Sequence, residues 1–208
     1  MTHHLTTRRT LALSCAFTLA LSLSACSSQT SSNPTPSPSA SPTESFAITA
    51  TEGIENPDLP ERPAEMDNDD KYGAAATAEY FLQLSLYGIT TDNWDDYNAL
   101  SLPTCGFCNS YRDTNHEDYK DISSRTMPEM EVQSMYAWQI EDTPEQWRVD
   151  TLVERSPSTV INKDKSVRQR QGSTTALAFL LDMSDGWHVV EVESFDIEKY
   201  VELYGELE

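Results

Sequence analysis

The chain has 208 residues, with 14 Lys and Arg against 34 Asp and Glu, which gives a formal net charge of −20. This balance argues against nucleic acid as the partner, because phosphate binding requires clustered Lys and Arg. A hydrophobic content of 38% is enough for one modest core but not for a polytopic membrane protein. We therefore expect one domain, or two small ones.

Residues 1–25 have the features of a secretory signal peptide. Arg8 and Arg9 give a positive start, and an apolar stretch over residues 11–21 follows and is closed by small residues. This stretch is well below the ~20 apolar residues that a transmembrane helix needs. The pattern predicts removal of residues 1–25, and the paired arginines leave a twin-arginine route open beside the ordinary secretory route.

A lipid-attachment motif follows the apolar stretch. Leu23-Ser24-Ala25-Cys26 resembles the lipobox of bacterial lipoproteins, in which the Cys thiol receives a diacylglyceryl group and a peptidase cuts before the Cys. The resemblance implies that Cys26 is the lipidated first residue of a mature chain on the extracytoplasmic face of the cell membrane. Two acyl chains give the stable anchoring that a single chain does not.

Residues 26–66 are predicted to be a tether. Between residues 27 and 44, 14 of 18 residues are Ser, Thr or Pro. Such a composition buries too little apolar surface to offset the entropy of ordering, so we expect a disordered stalk that is open to O-glycosylation. The stalk would hold a single folded domain, residues 67–208, away from the membrane.

The folded domain is predicted to begin with a buried helix. The acidic run at residues 67–70 supplies N-caps and favourable charge for a helix over residues 74–87, which we expect to end at Gly88. Thr90 and Thr91 are expected to cap a short second helix. A third helix is predicted around residues 106–120.

After residue 128 the apolar residues follow a period of two, which is typical of half-buried strands. We predict four antiparallel strands, with a bulge at Pro157 in the second strand and a hairpin loop at residues 184–186. The strands cover residues 130–140, 147–162, 174–183 and 187–194. A short helix over residues 195–204 is expected to close the chain.

Two or three helices followed by four strands define an α+β fold, with the helices packed on one face of a curved four-stranded antiparallel sheet. This order resembles the nuclear-transport-factor-like cone fold. The acyl-Cys, the Ser/Pro stalk, the Ala-rich helix, a Cys-x-x-Cys motif after Leu102-Pro103 and a strand pair closed by Asp185-Gly186-Trp187 are similar to actinobacterial lipoproteins of an uncharacterised domain family. That family implies no activity.

Cys105 and Cys108 are the most specific local motif for chemistry. Because thiols oxidise outside the cell, the pair predicts a structural disulfide at the start of the third helix. A thioredoxin-like redox pair is the alternative, although no strand leads into the motif and no parallel βαβ pattern surrounds it. Zinc is disfavoured, because Cys105, Cys108 and His116 make only three ligands and no second Cys pair is present.

The acidic start of the domain does not predict a calcium site. Asn68, Asp70, Gly73 and Glu79 match four EF-hand positions, but Tyr72 fills a ligand position and a helix replaces the loop. The sequence also contains no phosphate-binding Gly motif and no nucleophile elbow. We therefore predict no metal site, no cofactor and no catalytic residue.

A cone fold often encloses a pocket between helices and sheet, and some relatives use a pocket Asp beside a Tyr acid. No Asp of this chain aligns with that role, and His116 and His188 are interpreted as surface or sheet residues. Five tyrosines are candidates for a pocket lining: Tyr80, Tyr87, Tyr97, Tyr111 and Tyr136.

The predicted function is a non-catalytic, lipid-anchored module that binds an envelope protein or a small ligand. The strong negative charge of the chain favours cationic partners by long-range attraction. Two alternatives remain, a pocket enzyme of the cone fold and a redox protein that uses Cys105 and Cys108.

Overall fold

The computed structural model describes residues 57–205. The predicted signal peptide, the Cys26 lipidation site and most of the tether lie outside the described residues. No helix of the described part is long and apolar enough to span a membrane. In chain order the elements are a 3₁₀ turn (Ala64–Asp67), α1 (Lys71–Thr91), α2 (Asp95–Leu100), α3 (Gly106–Tyr119), β1 (Ile122–Arg125), β2 (Met130–Ile140), β3 (Thr143–Arg155), β4 (Ser158–Asn162), β5 (Val167–Arg170), β6 (Ser173–Asp182), β7 (His188–Phe195) and α4 (Ile197–Tyr204).

The first helix is longer than predicted, because Gly88 lies inside α1 rather than at its end. Asp70 caps the helix by accepting two backbone N–H bonds of the first turn, as the acidic run predicted. Gly88 allows close packing, since a Cβ there would lie 2.5 Å from the ring of Trp94. The helix ends at Thr91, and Asp92 follows with a left-handed φ of 60°.

The predicted cap of the second helix is wrong. The hydroxyl groups of Thr90 and Thr91 donate back to the carbonyls of Leu86 and Tyr87 within α1. The N-cap residue of the second helix is Trp94, which makes no side-chain capping bond, and the helix ends at Leu100.

The described strands form two antiparallel sheets rather than one. The main sheet has the order β2-β3-β6-β7 and corresponds to the four predicted strands. The second sheet has the order β1-β4-β5, so β4 is not the continuation of β3 beyond a bulge. The chain leaves the main sheet at Pro157, and β6 pairs with β3 as far as Arg155 opposite Ser173. The α+β class with antiparallel sheets is confirmed, whereas the single sheet is not.

Both faces of the main sheet are covered. On one face, Phe81 of α1 lies edge-on to Phe179 of β6 with ring centroids 6.1 Å apart, in a core that also contains Val153 of β3. On the other face, Tyr200 of α4 is buried in a second cluster with Leu152. Neighbouring residues of a strand point to opposite faces, so β3 contributes to both clusters.

Packing begins before residue 67, where the sequence placed the domain boundary. Met66 is buried in the core. The Tyr80 hydroxyl group donates to the carbonyl of Pro60 at 3.4 Å, and Arg62 forms an ion pair with Asp67 at 2.8 Å. The last residues of the predicted tether therefore pack against the domain.

Candidate ligand-binding site

An apolar cavity of about 260 Å³ lies between the helices α1, α2 and α3 and the inner face of the main sheet. Aromatic side chains from both layers form much of its wall. They are Phe81, Tyr97, Phe107, Tyr111 and Phe179. A concave, apolar space with few polar groups is the usual form of a small-molecule site.

Strand geometry explains which residues reach this cavity. Ser173, Thr175, Leu177 and Phe179 of β6 all line it, because alternate residues of a strand share one face. Arg155 of β3 lies opposite Ser173 and also lines the cavity. The lining along β6 therefore changes from aromatic at Phe179 to polar and positively charged beside Ser173.

Two of the five candidate tyrosines, Tyr97 and Tyr111, line the cavity. Tyr80 donates instead to a backbone carbonyl that precedes α1. Tyr136 stacks on a tyrosine of α4 with ring centroids 4.2 Å apart, on the other face of the sheet. Tyr87 is half-buried and is not part of the lining. The aromatic pattern alone did not separate these environments.

The polar groups of the cavity include the hydroxyl groups of Tyr97 and Tyr111 and the guanidinium group of Arg155. Burial raises the pKa of Tyr97 well above its ordinary value, and Tyr111 adds to the effect. The phenol therefore stays protonated, and it donates to the carbonyl of Cys108 at 3.4 Å. The Nη2 atom of Arg155 donates to the Tyr111 hydroxyl group at 3.5 Å.

Cys105 and Cys108 lie at disulfide-bonding distance at the start of α3, with their Cα atoms 5.3 Å apart. Their exposed fractions are 0% and 2%. The Glu191 carboxylate accepts backbone N–H bonds from Gly106 and Phe107 at 3.1 and 3.0 Å, and its Oε1 atom lies 3.8 Å from the Cys105 Sγ atom. Reactive cysteines need exposed, electropositive surroundings, and this pair is buried beside a carboxylate.

Glu191 of β7 is a structural residue that the sequence analysis missed. Burial raises its pKa, but the backbone N–H groups of Phe107, Val192 and Gly106 lower it more, so the net shift of the Glu191 pKa is downward. The carboxylate thus caps α3 from another element. Along the chain it is an ordinary polar residue of an alternating strand, so no local signal marks it.

The structure does not bring together the residues that were weighed as zinc ligands. The Nδ1 atom of His116 lies 2.9 Å from the carboxylate of Asp92, and Cys105 and Cys108 are bonded to each other. Within residues 57–205, no three His, Cys, Asp or Glu side chains form a potential metal-binding group. His188 is the half-buried first residue of β7.

The structure thus defines an α+β domain with an apolar cavity between its helices and its main sheet. A family model described as a family of unknown function, DUF6318, matches residues 48–193. The chain belongs to this family, which confirms the expected relation to an uncharacterised domain family. Comparison with curated proteins finds no match.

Three solved structures align with most of the domain at low sequence identity. The intermembrane space region of the chloroplast protein ARC6 is 11% identical, with a TM-score of 0.47 over 61% of this chain and 96% of that chain. A nuclear transport factor 2-like protein from Salmonella enterica is 14% identical, with a TM-score of 0.39 over 59% and 92%. An uncharacterised protein with a cystatin-like fold from Caulobacter vibrioides is 12% identical, with a TM-score of 0.40 over 61% and 92%. None of these three TM-scores reaches 0.5, so the cone form stays a prediction.

Proposed function

We propose that this protein is a lipid-anchored extracytoplasmic lipoprotein whose folded domain binds a small, largely apolar ligand and does not convert it. The location rests on the signal-like residues 1–25 and the lipobox that ends at Cys26. The ligand rests on one observation, the aromatic-walled cavity of about 260 Å³.

The size of the cavity limits the ligand. A volume of 260 Å³ corresponds to about nine water molecules at ~30 Å³ each, and so to a ligand of roughly ten non-hydrogen atoms. Apolar cavities of ~150 Å³ already bind a single aromatic ring. A short aliphatic chain or one substituted ring therefore fits this space, whereas a folded partner protein does not enter it.

The chemistry of the cavity supports a binding role. The Tyr97 hydroxyl group already donates its one proton to the Cys108 carbonyl, and Arg155 supplies guanidinium donors and a positive charge. The burial of Cys105 and Cys108 supports a structural role for their disulfide rather than redox exchange, because an attacking thiolate has little access to either sulfur atom.

Calorimetric titration of the purified full-length chain with octan-1-ol tests the ligand proposal. We expect saturable binding of one molecule per chain. Leu177→Phe places a larger side chain in the cavity and is expected to weaken binding about tenfold, whereas Leu180→Phe on the opposite face of β6 leaves it unchanged. Absence of saturable binding, or equal effects of the two variants, would contradict the proposal.

The anchor is tested separately with Cys26→Ser. We expect this variant to lack the acyl groups and to be either released from the membrane or left uncleaved, because the thiol that receives the lipid is absent. Mass spectrometry of the N-terminal peptide and membrane fractionation measure the result. Normal processing with unchanged membrane retention would contradict the lipidation of Cys26.

A further inference from the structure

A smaller cavity of about 70 Å³ adjoins the apolar one, and the two share Arg155 and Ser173 as lining residues. Its lining contains Arg125 of β1, Arg155 of β3 and Arg170 of β5, so it lies where the two sheets meet. We call this cavity the arginine recess. Three guanidinium groups at one point are unexpected in a chain with a net charge of −20.

Arg125 is the deepest of the three arginines, with an exposed fraction of 3%. Its Nη1 atom donates to the carbonyl of Ile89 in the last turn of α1. Its Nε and Nη2 atoms are buried and have no hydrogen-bond partner within residues 57–205. Buried donors without partners are costly, and they cost more on a charged group. The hydrogen bond to Ile89 therefore satisfies only one of the three guanidinium nitrogen atoms of Arg125.

The arginines around the recess carry more positive charge than their carboxylate partner in the described residues neutralises. The carboxylate of Asp118 pairs with Arg170 at 2.7 Å and with Arg168 at 3.9 Å. Arg155 forms no ion pair within the described residues, and its Nη2 atom reaches only the Tyr111 hydroxyl group. Burial lowers the pKa of Arg125, and Arg170 adds to this effect while Asp118 opposes it. Among the described residues, only Arg170 of the three recess arginines forms an ion pair, and its partner is Asp118.

We propose that the ligand is amphipathic, with its apolar body in the aromatic cavity and a compact oxyanion, a carboxylate or a phosphate, in the arginine recess. This inference rests on the proposed function and names the head group of the same ligand. Guanidinium groups match the oxygen geometry of both anions. The shared wall at Arg155 and Ser173 joins the two cavities, and a recess of 70 Å³ holds only about two water volumes, which suits a head group of this size.

Two positions in the recess give the anion its partners. Arg125 contributes positive charge from the buried side, where its Nε and Nη2 atoms find no partner among residues 57–205. Arg155 contributes a charge without a carboxylate partner at the junction with the aromatic cavity. An anion bound there neutralises part of the positive charge of the three arginines. The recess adds little to the affinity for a neutral ligand, because a hydroxyl group carries no negative charge to neutralise the arginines.

The test compares three probes of equal chain length on the full-length protein by calorimetry: octan-1-ol, octanoate and octyl phosphate. We expect at least one of the two anions to bind about tenfold more tightly than the alcohol, as a charge-assisted hydrogen bond predicts. Arg155→Gln is expected to reduce this preference to less than twofold, measured as the ratio of the anion and octan-1-ol affinities of the same variant. Arg168→Gln removes the same charge from an exposed position outside the recess lining and is expected to keep the preference within twofold.

The outcomes separate the two proposals. Equal affinity for all three probes overturns the anionic head group and leaves the apolar site intact, whereas no binding of any probe overturns both. A preference that survives Arg155→Gln, or one that Arg168→Gln removes equally, also overturns the recess as the anion site. The tighter anion of the two identifies carboxylate or phosphate as the head group. The comparison of the three probes on the unmodified protein decides the question even if a variant fails to fold.

Discussion

Asp150 and Arg125 are two buried charged residues that differ in their hydrogen-bond partners. Asp150 contacts α4, whereas Arg125 contacts α1. Asp150 has an exposed fraction of 1%, and its carboxylate accepts from Arg148 Nε and from the Tyr204 hydroxyl group, both at 2.8 Å. Arg125 has an exposed fraction of 3%, but two of its three guanidinium nitrogen atoms have no partner in the described part of the chain. The fold therefore satisfies one charge completely and the other only in part.

Under the proposal above, Asp150 is a structural charge, whereas Arg125 serves to bind a ligand. A carboxylate with a full set of partners contributes to the fold, and its removal leaves other polar groups unpaired. A guanidinium with missing partners contributes little net stability to the empty domain. If this distinction is correct, substitutions at the two positions will have unequal effects on stability.

The largest effect is expected for Asp150→Ala. The substitution leaves the Tyr204 hydroxyl group without its acceptor and Arg148 without its ion pair, so we expect a loss of about 3 kcal/mol in the free energy of unfolding. Urea denaturation measures it. Tyr204→Phe removes a single hydrogen bond and serves as the control, with an expected loss of about 1 kcal/mol. A loss below that of the control would break the comparison.

Glu191 is a second carboxylate with hydrogen-bond partners, because it accepts from the first N–H groups of α3. We expect Glu191→Gln to lower the free energy of unfolding by about 1 kcal/mol at neutral pH, because the substitution weakens this cap. The pKa of Glu191 is lowered in the folded state. Its stabilisation is therefore complete above the unfolded pKa, about 4.3, and is lost as the pH falls through the lower folded pKa.

Urea denaturation of wild type and Glu191→Gln between neutral and strongly acidic pH measures this dependence. The difference in stability between the two proteins is expected to close in acid. Glu193→Gln, at an exposed position of the same strand, is the matched control and is expected to show no such dependence. A difference that grows as the pH falls would contradict the assigned role of Glu191.

The smallest effect is expected for Arg125→Met, which keeps most of the aliphatic volume and removes the charge. The lost bond to Ile89 and the removed desolvated charge oppose each other, so the free energy of unfolding should change by less than about 1 kcal/mol. Urea denaturation without ligand checks it. A loss of about the size expected for Asp150→Ala would show that Arg125 stabilises the fold, and the two buried charges would then not differ in role.

Much of the fold could be predicted from local pattern. The period of two over residues 130–140 placed β2 with its observed bounds, Met130–Ile140, and Asp70 caps the first helix as the acidic run indicated. Gly88 was misinterpreted, because its role is to let Trp94 approach α1, which is a tertiary contact. The short strands β1 and β5 were missed, since four residues are too few to show a period.

The candidate site was predicted less well than the fold. Tyr97 and Tyr111 are two of the five tyrosines that the sequence indicated as candidates for a pocket lining, but the sequence did not indicate the arginines. Arg125, Arg155 and Arg170 lie on three strands of two sheets, and only the departure of the chain from the main sheet near Pro157 brings them together. Their spacing in the sequence carries no such information.

The sequence by itself determined the elements whose cause is local: the helix and strand periods, the cap at Asp70 and the pairing of two cysteines three residues apart. The tertiary structure decided everything that depends on distant residues. It set the two sheets, the capping of α3 by Glu191 and the meeting of the arginines beside an aromatic cavity. The physical reason is that propensity and hydrophobic period act over a few residues, whereas burial and charge compensation depend on neighbours that only the folded chain supplies.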